Sequence, residues 1–109
     1  GSAAVSSLVS WKPMVSYGDQ RLELFSGTTS FGRDASADVA IDDRGLSRIH
    51  FEIAFNGDVA AIRDLQSTNG TFVDGSRINE VVLRSGSKIT AGRTEFDFEL
   101  LAQTGEPSE

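Results

Sequence analysis

Six polar side chains in three short segments hold the chemistry this chain has to offer. They are Arg33 in FGRDASADVAI (31–41), Ser47, Arg48 and His50 in DDRGLSRIH (42–50), and Thr68 and Asn69 in DLQSTNGTFVDG (64–75). Arg33 supplies a planar guanidinium, the group best shaped to fork onto a phosphate or a carboxylate. Ser47 supplies a short hydroxyl and a backbone N–H in a turn, both anion donors. Arg48 adds a second cation and Thr68 another hydroxyl. Asn69 brings an amide that both donates and accepts, as holding a peptide main chain requires. Gly70 lets the chain adopt a positive φ beside them. All these donors fit one anion, and none is a nucleophile paired with its base. The set suits a phosphorylated side chain better than a nucleic-acid backbone.

Each residue also has a commonplace reading: a solvated arginine, a hydrogen-bonded structural histidine, a plain Ser-Thr-Asn-Gly turn. Two chemical alternatives fail on sequence grounds. Ser47, His50 and Asp64 have the residue types of a hydrolase triad. However, Ser47 lacks the Gly-x-Ser-x-Gly elbow, and His50 opens an alternating run that would turn it inward. DLQSTNGTFVDG is no calcium loop either. Gln66 and Thr68 stand at the second and third ligand positions, the glycine comes one place late, and Gly75 replaces the bidentate Glu.

Composition narrows the classes further. The 109 residues fit one domain, of a size that needs no disulfide or metal to hold a core. The balance of 39% hydrophobic and 24% charged residues is that of a soluble globular protein. No run of 18 apolar residues occurs, and GSAAVSSLVS (1–10) lacks the basic start of a signal peptide, so direct membrane insertion is not expected. The absence of cysteine excludes disulfides and thiolate metal sites, and the cytoplasm is the default location. A net charge of −6 argues against nucleic acid as a partner. A local group of arginines can still attract a small anion, because screening confines charge effects to about 8–10 Å.

The segments that must position these residues alternate apolar and polar. RLELF (21–25) puts Leu22 and Leu24 on one face, FEIAF (51–55) puts Phe51, Ile53 and Phe55 on one face, and EFDFELL (95–101) does so with Phe96, Phe98 and Leu100. Turn signals separate the runs at Tyr17-Gly18-Asp19, Asn56-Gly57-Asp58, Asp74-Gly75-Ser76 and Ala91-Gly92-Arg93. The Asn56-Gly57 pair before VAAIRDL (59–65) predicts a hairpin. No helical stripe exceeds about two turns. The pattern predicts an all-β chain of about ten short strands, in a sandwich or a barrel, with loops at one end gathered into a site. Residues 1–10 are expected to be a flexible segment whose Gly1-Ser2 is a cloning scar, 11–101 the domain, and 102–109 a disordered tail or linker.

FGR, then LSRIH, then DLQSTNGTFVDG resemble, in that order and spacing, the forkhead-associated (FHA) family. The likeness runs from about Met14 to Leu101 and includes ADVAI and LRSGSKITAGRTEFDFEL. It implies a β-sandwich of eleven short, mostly antiparallel strands whose loops at one end bind phosphothreonine peptides. By position, Arg33, Ser47 and Thr68 would contact the phosphate, with Arg48 a variable helper, and Asn69 would hold the peptide backbone. Gly32, His50 and Gly70 would be architectural. Preference for phosphothreonine would come from a niche for the γ-methyl, worth about 1 kcal/mol by area. The segment before the serine, Asp42 to Leu46, would help choose the residue three places beyond the phosphothreonine. There Arg44 beside Gly45 would tolerate an acidic side chain and Asp42 and Asp43 would discourage one, with no net preference assigned. Asp74 stands where the family often has Asn, and Ser87 where it often has Asp.

The resemblance thus implies a non-catalytic docking module, with no cofactor or metal, in a larger bacterial signalling protein. Its partner would be a phosphothreonine-containing protein, a Ser/Thr kinase or its substrate. The alternative is a phosphate-independent assembly module on the same sandwich.

Overall fold

The computed structural model describes residues 9–104. Eleven strands follow in order: β1 (Val9–Tyr17), β2 (Gln20–Glu23), β3 (Gly27–Gly32), β4 (Val39–Ala40), β5 (Phe51–Phe55), β6 (Ala60–Asp64), β7 (Thr71–Val73), β8 (Ser76–Ile78), β9 (Glu80–Leu83), β10 (Lys88–Ala91) and β11 (Thr94–Thr104). They form a six-stranded sheet, β2-β1-β11-β10-β7-β8, and a five-stranded sheet, β4-β3-β5-β6-β9. All pairings are antiparallel except β3 with β4. The choice between sandwich and barrel thus resolves to a sandwich of two separate sheets. No helix among the described residues is long and apolar enough to cross a membrane.

Period-two patterning explains the core. Phe51, Ile53 and Phe55 of β5 are buried, as are Phe96 and Phe98 of β11. Phe31 and Phe51 stack with ring centroids 4.7 Å apart, and Phe96 of the opposite sheet meets both edge-on at 5.8 and 5.3 Å. This aromatic cluster ties the sheets together immediately beneath the loops that follow β3 and precede β5.

The turn signals act as expected at four places, with one difference of length. Asp74 (φ 50) and Gly75 (φ 87) form a two-residue turn between β7 and β8 with both central φ positive, as a primed hairpin turn requires. Asn56-Gly57 lies in a hairpin whose loop spans four residues, because the Asn56 side chain accepts N–H bonds from Asp58 and Val59 and widens it. Asp74 also accepts from the Lys88 N–H, and the Ser87 hydroxyl accepts from the Arg84 N–H. Ser87 therefore caps the turn before β10, and Asp74 ties the β7–β8 turn to the start of β10.

Three strand limits differ from expectation. β2 stops at Glu23, where the chain leaves the first sheet: Leu24 is buried, but Phe25 is 79% exposed. The other two concern the ends. Domain edges were expected at 11 and 101, but β1 and β11 pair beyond them, Val9 with Thr104 and Ser10 with Gln103. Mutual ladder bonds satisfy that ribbon's backbone even where its side chains are polar, so alternation alone does not mark its end. Expectations for residues 1–8 and 105–109 lie outside the described residues.

Candidate functional site at the loop end of the sandwich

Arg33 follows directly on the last residue of β3. The short parallel pair of β3 and β4 forces the chain out and back through residues 33–38. That loop is tied by Asp38, whose carboxylate accepts from the Ser30 N–H and hydroxyl, and by the Ile41 N–H donating to Gly32 O. Arg33 N–H donates to Ser47 O at 2.9 Å, and its side-chain Nε–H donates to Leu46 O at 3.2 Å. The guanidinium is therefore aimed by the next loop while its terminal Nη groups stay exposed. Gly32 makes this approach possible. A Cβ there would stand 2.0 Å from Arg48 O and 2.7 Å from Arg48 C, both backbone atoms.

Ser47 lies between His50 and Thr68. Its hydroxyl oxygen accepts from the Thr68 N–H at 3.0 Å, which leaves the hydroxyl hydrogen available to an anion. Its own N–H is not available. It donates to His50 Nδ1 at 3.0 Å, so the expected second donor of Ser47 is committed inside the protein. Asn69 Nδ2 donates to Gly45 O at 2.9 Å, leaving one Nδ2 hydrogen and Oδ1 toward solvent. Arg48 and Thr68 are exposed beside them, and Thr68 keeps a free hydroxyl.

His50 is fully buried and uses both ring nitrogens. Accepting from Ser47 at Nδ1 puts its hydrogen on Nε2, which donates to Gly70 O at 2.8 Å. Its N–H donates to Phe31 O and its C=O accepts from Leu65 N–H. One residue thus joins β3, the 41–50 loop and the 65–70 loop. This geometry also excludes the triad: the imidazole contacts the backbone N–H of Ser47 rather than its hydroxyl, and it does not bond Asp64.

The organising role of two aspartates was not anticipated. Asp64 accepts from the hydroxyls of Ser67 and Thr71, each at 2.6 Å, and from the Ser67 N–H; Ser67 in turn accepts from Gly70 N–H. Burial works against the charge of Asp64, but the Ser67 and Thr71 donors outweigh it and hold the carboxyl below its usual range. Asp43 is 8% exposed and ties the 41–50 loop to the β10–β11 turn, accepting from Gly45 N–H, Arg93 N–H and the Thr94 hydroxyl. Burial again opposes its charge, and the Thr94, Gly45 and Arg93 donors win. Asp43 therefore faces inward and is spent, so it does not stand beside Asp42 against an acidic ligand. The available signals were a carboxylate three residues before a serine (Asp64, Ser67) and two before a glycine (Asp43, Gly45), the spacing of side-chain-capped turns.

The electrostatics of this end run against the chain average. Arg33, Arg44, Arg48, Arg77 and Arg93, five of the ten basic residues, lie on or beside these loops, and none pairs with a carboxylate among the described residues. Lys12, Arg21, Arg63 and Lys88 elsewhere are each paired. Asp34 is an opposing charge within reach of Arg48 and Arg33. Its carboxyl is held below the usual range by the Ser36 hydroxyl and N–H, with smaller help from Arg48 and Arg33. Among the described residues no cluster of His, Cys, Asp and Glu could hold a metal.

Comparison with known proteins agrees with the fold and the loop arrangement. The family model described as FHA domain matches residues 29–92. The FHA domain-containing protein FhaA of Mycobacterium tuberculosis is 40% identical over 74 residues, 68% of this chain and 14% of that protein. The oxoglutarate dehydrogenase inhibitor of Corynebacterium jeikeium is 37% identical over 78 residues, 72% of this chain and 54% of that protein. The chain therefore spans about half or less of the length of these two relatives. A solved structure from a study of phosphothreonine-dependent FHA domain interactions superposes with a TM-score of 0.78 at 33% identity, covering 81% of this chain and 95% of that one. By family match, identity and fold, this chain belongs to the FHA domain family.

Proposed function

We propose that this chain is a non-catalytic reader of phosphothreonine peptides, docking partner proteins marked by a Ser/Thr kinase in bacterial signalling. The observation that supports this reading is that unspent donors sit on three loops bonded to one another. Arg33 Nη, the Ser47 hydroxyl hydrogen and the Thr68 hydroxyl belong to three loops stitched together by several hydrogen bonds of about 3 Å. A phosphate of charge near −2 with three acceptor oxygens complements such a set. Asn69, with Oδ1 and one amide hydrogen free, suits the peptide main chain beside it. Arg48 adds charge, while Gly32, His50 and Gly70 support the geometry. The positive loop end on an acidic chain favours a compact local anion over a polyanion. Relatives from Mycobacterium and Corynebacterium are consistent with a bacterial setting.

The test is Arg33→Ala. Hydrogen bonds to a charged group contribute about 1.5–3 kcal/mol, so affinity for a phosphothreonine peptide should fall about ten- to hundredfold or more. Thermal unfolding should change little, because Arg33 is exposed. Normal binding by the variant would remove Arg33 from the phosphate site.

A further inference from the structure

Arg77 was not among the expected site residues. It sits on β8, an edge strand of the six-stranded sheet, and pairs across the ladder with Phe72. Its side chain runs back toward the loop end. A Cβ placed on Gly70 would be 2.8 Å from Arg77 Nε, 3.0 Å from Cζ and 3.3 Å from Nη2. The guanidinium therefore lies over the bare face of Gly70, the residue next to Asn69. Gly70 is doubly constrained, by its φ of 91° and by this cover.

Two observations bear on what Arg77 can do. It has no carboxylate or hydrogen-bond partner among the described residues, so its charge is open to an anion. Its contact with Gly70 separates it from other unpaired arginines, because a side chain held by packing loses less freedom when an anion arrives. From these we infer that Arg77 is a specificity residue: it selects phosphothreonine peptides carrying a carboxylate close to the segment gripped by Asn69. The ligand class is an acidic phosphopeptide, and the inference rests on the phosphothreonine reading above.

An ion pair formed at an exposed rim contributes modestly, so the expected preference is about two- to fivefold. The experiment titrates the domain with one phosphothreonine peptide in two forms, with glutamates or glutamines flanking the phosphothreonine. It uses wild type, Arg77→Gln and Arg77→Lys. Wild type should favour the glutamate form, Arg77→Lys should keep part of that ratio, and Arg77→Gln should bring it close to one. An unchanged ratio in Arg77→Gln, or no preference in wild type, would overturn the inference while leaving the phosphothreonine reading intact. So would equal weakening of both peptides with the ratio preserved, which would mean that Arg77 only packs on Gly70. Binding that ignores the phosphate altogether would overturn the reading and the inference together.

Discussion

Gly32→Ala is the smallest substitution that should dismantle the site, although Gly32 has no side chain to offer a ligand. The added Cβ would lie 2.0 Å from Arg48 O, 2.7 Å from Arg48 C and 2.9 Å from Ile49 Cα. All three are backbone or Cα atoms, so no rotamer change relieves the contact. To reach even a tight separation of 3.0 Å, the 47–49 segment or the end of β3 must move by about an ångström. That segment holds the Ser47 C=O that receives the Arg33 N–H, the Ser47 hydroxyl that receives Thr68, and the link to His50. Overpacking of this kind costs about 1–3 kcal/mol of stability, and a misplacement of about 1 Å in a positioned constellation can cost about a hundredfold. The expected outcome is a lower unfolding midpoint in urea together with at least a tenfold loss of phosphopeptide affinity in a calorimetric titration. Gly18→Ala is the comparison. Unlike Gly32 it has a positive φ (55°), but its Cβ meets nothing within 4 Å. It should lose about 1 kcal/mol of stability and keep its affinity. If Gly32→Ala bound as well as Gly18→Ala, close backbone approach would not be what aims Arg33 and Ser47.

Three further outcomes follow from the same contacts. His50→Ala should lower both stability and binding, because it strands the Ser47 N–H and the Gly70 C=O; at about 1–3 kcal/mol per unpaired group, denaturant unfolding should show a loss of about 2–6 kcal/mol. Binding lost without any loss of stability would instead make His50 a ligand contact. Stability should also fall in acid. Asp43 and Asp64 titrate lower in the folded chain than in the unfolded one, so their contribution is fully present above the unfolded value of about 3.9 and disappears as pH falls through the lower folded values. Asp64→Asn should therefore be less stable than wild type near neutral pH, with a gap that narrows below about pH 4; a constant gap in urea unfolding across that range would contradict the assignment.

Most of the architecture was legible because period-two patterning and turn residues are local signals. FEIAF matched β5 residue for residue, and Asp74-Gly75 marked a primed turn, since both features depend only on neighbours in sequence. The ribbon of β1 and β11 was harder to bound. Its last rungs, Val9 with Thr104 and Ser10 with Gln103, depend on two segments some ninety residues apart, and polar side chains there carry no burial pattern. Within the site, Arg33, Ser47, Thr68 and Asn69 stood out by type and order. What could not be read was direction. Sequence does not reveal that Asp43 turns inward to Thr94, that the Ser47 N–H is spent on His50, or that Arg77 reaches across Gly70. Each of these depends on contacts between distant segments, and the same residue types serve equally well on an open surface.

These contacts describe a division of labour. Strands and the Phe31–Phe51–Phe96 cluster fix the loop bases, Gly32, His50, Asp43 and Asp64 fix the loops to one another, and the remaining donors face solvent. The central claim is that those remaining donors read a phosphorylated threonine. The most direct test is calorimetric titration of the domain with one threonine peptide in three forms: phosphothreonine, phosphoserine in its place, and unphosphorylated. The account predicts tightest binding to phosphothreonine, a loss of at least about fourfold on removing the methyl, and little or no binding without the phosphate. Equal affinity for all three forms would contradict it.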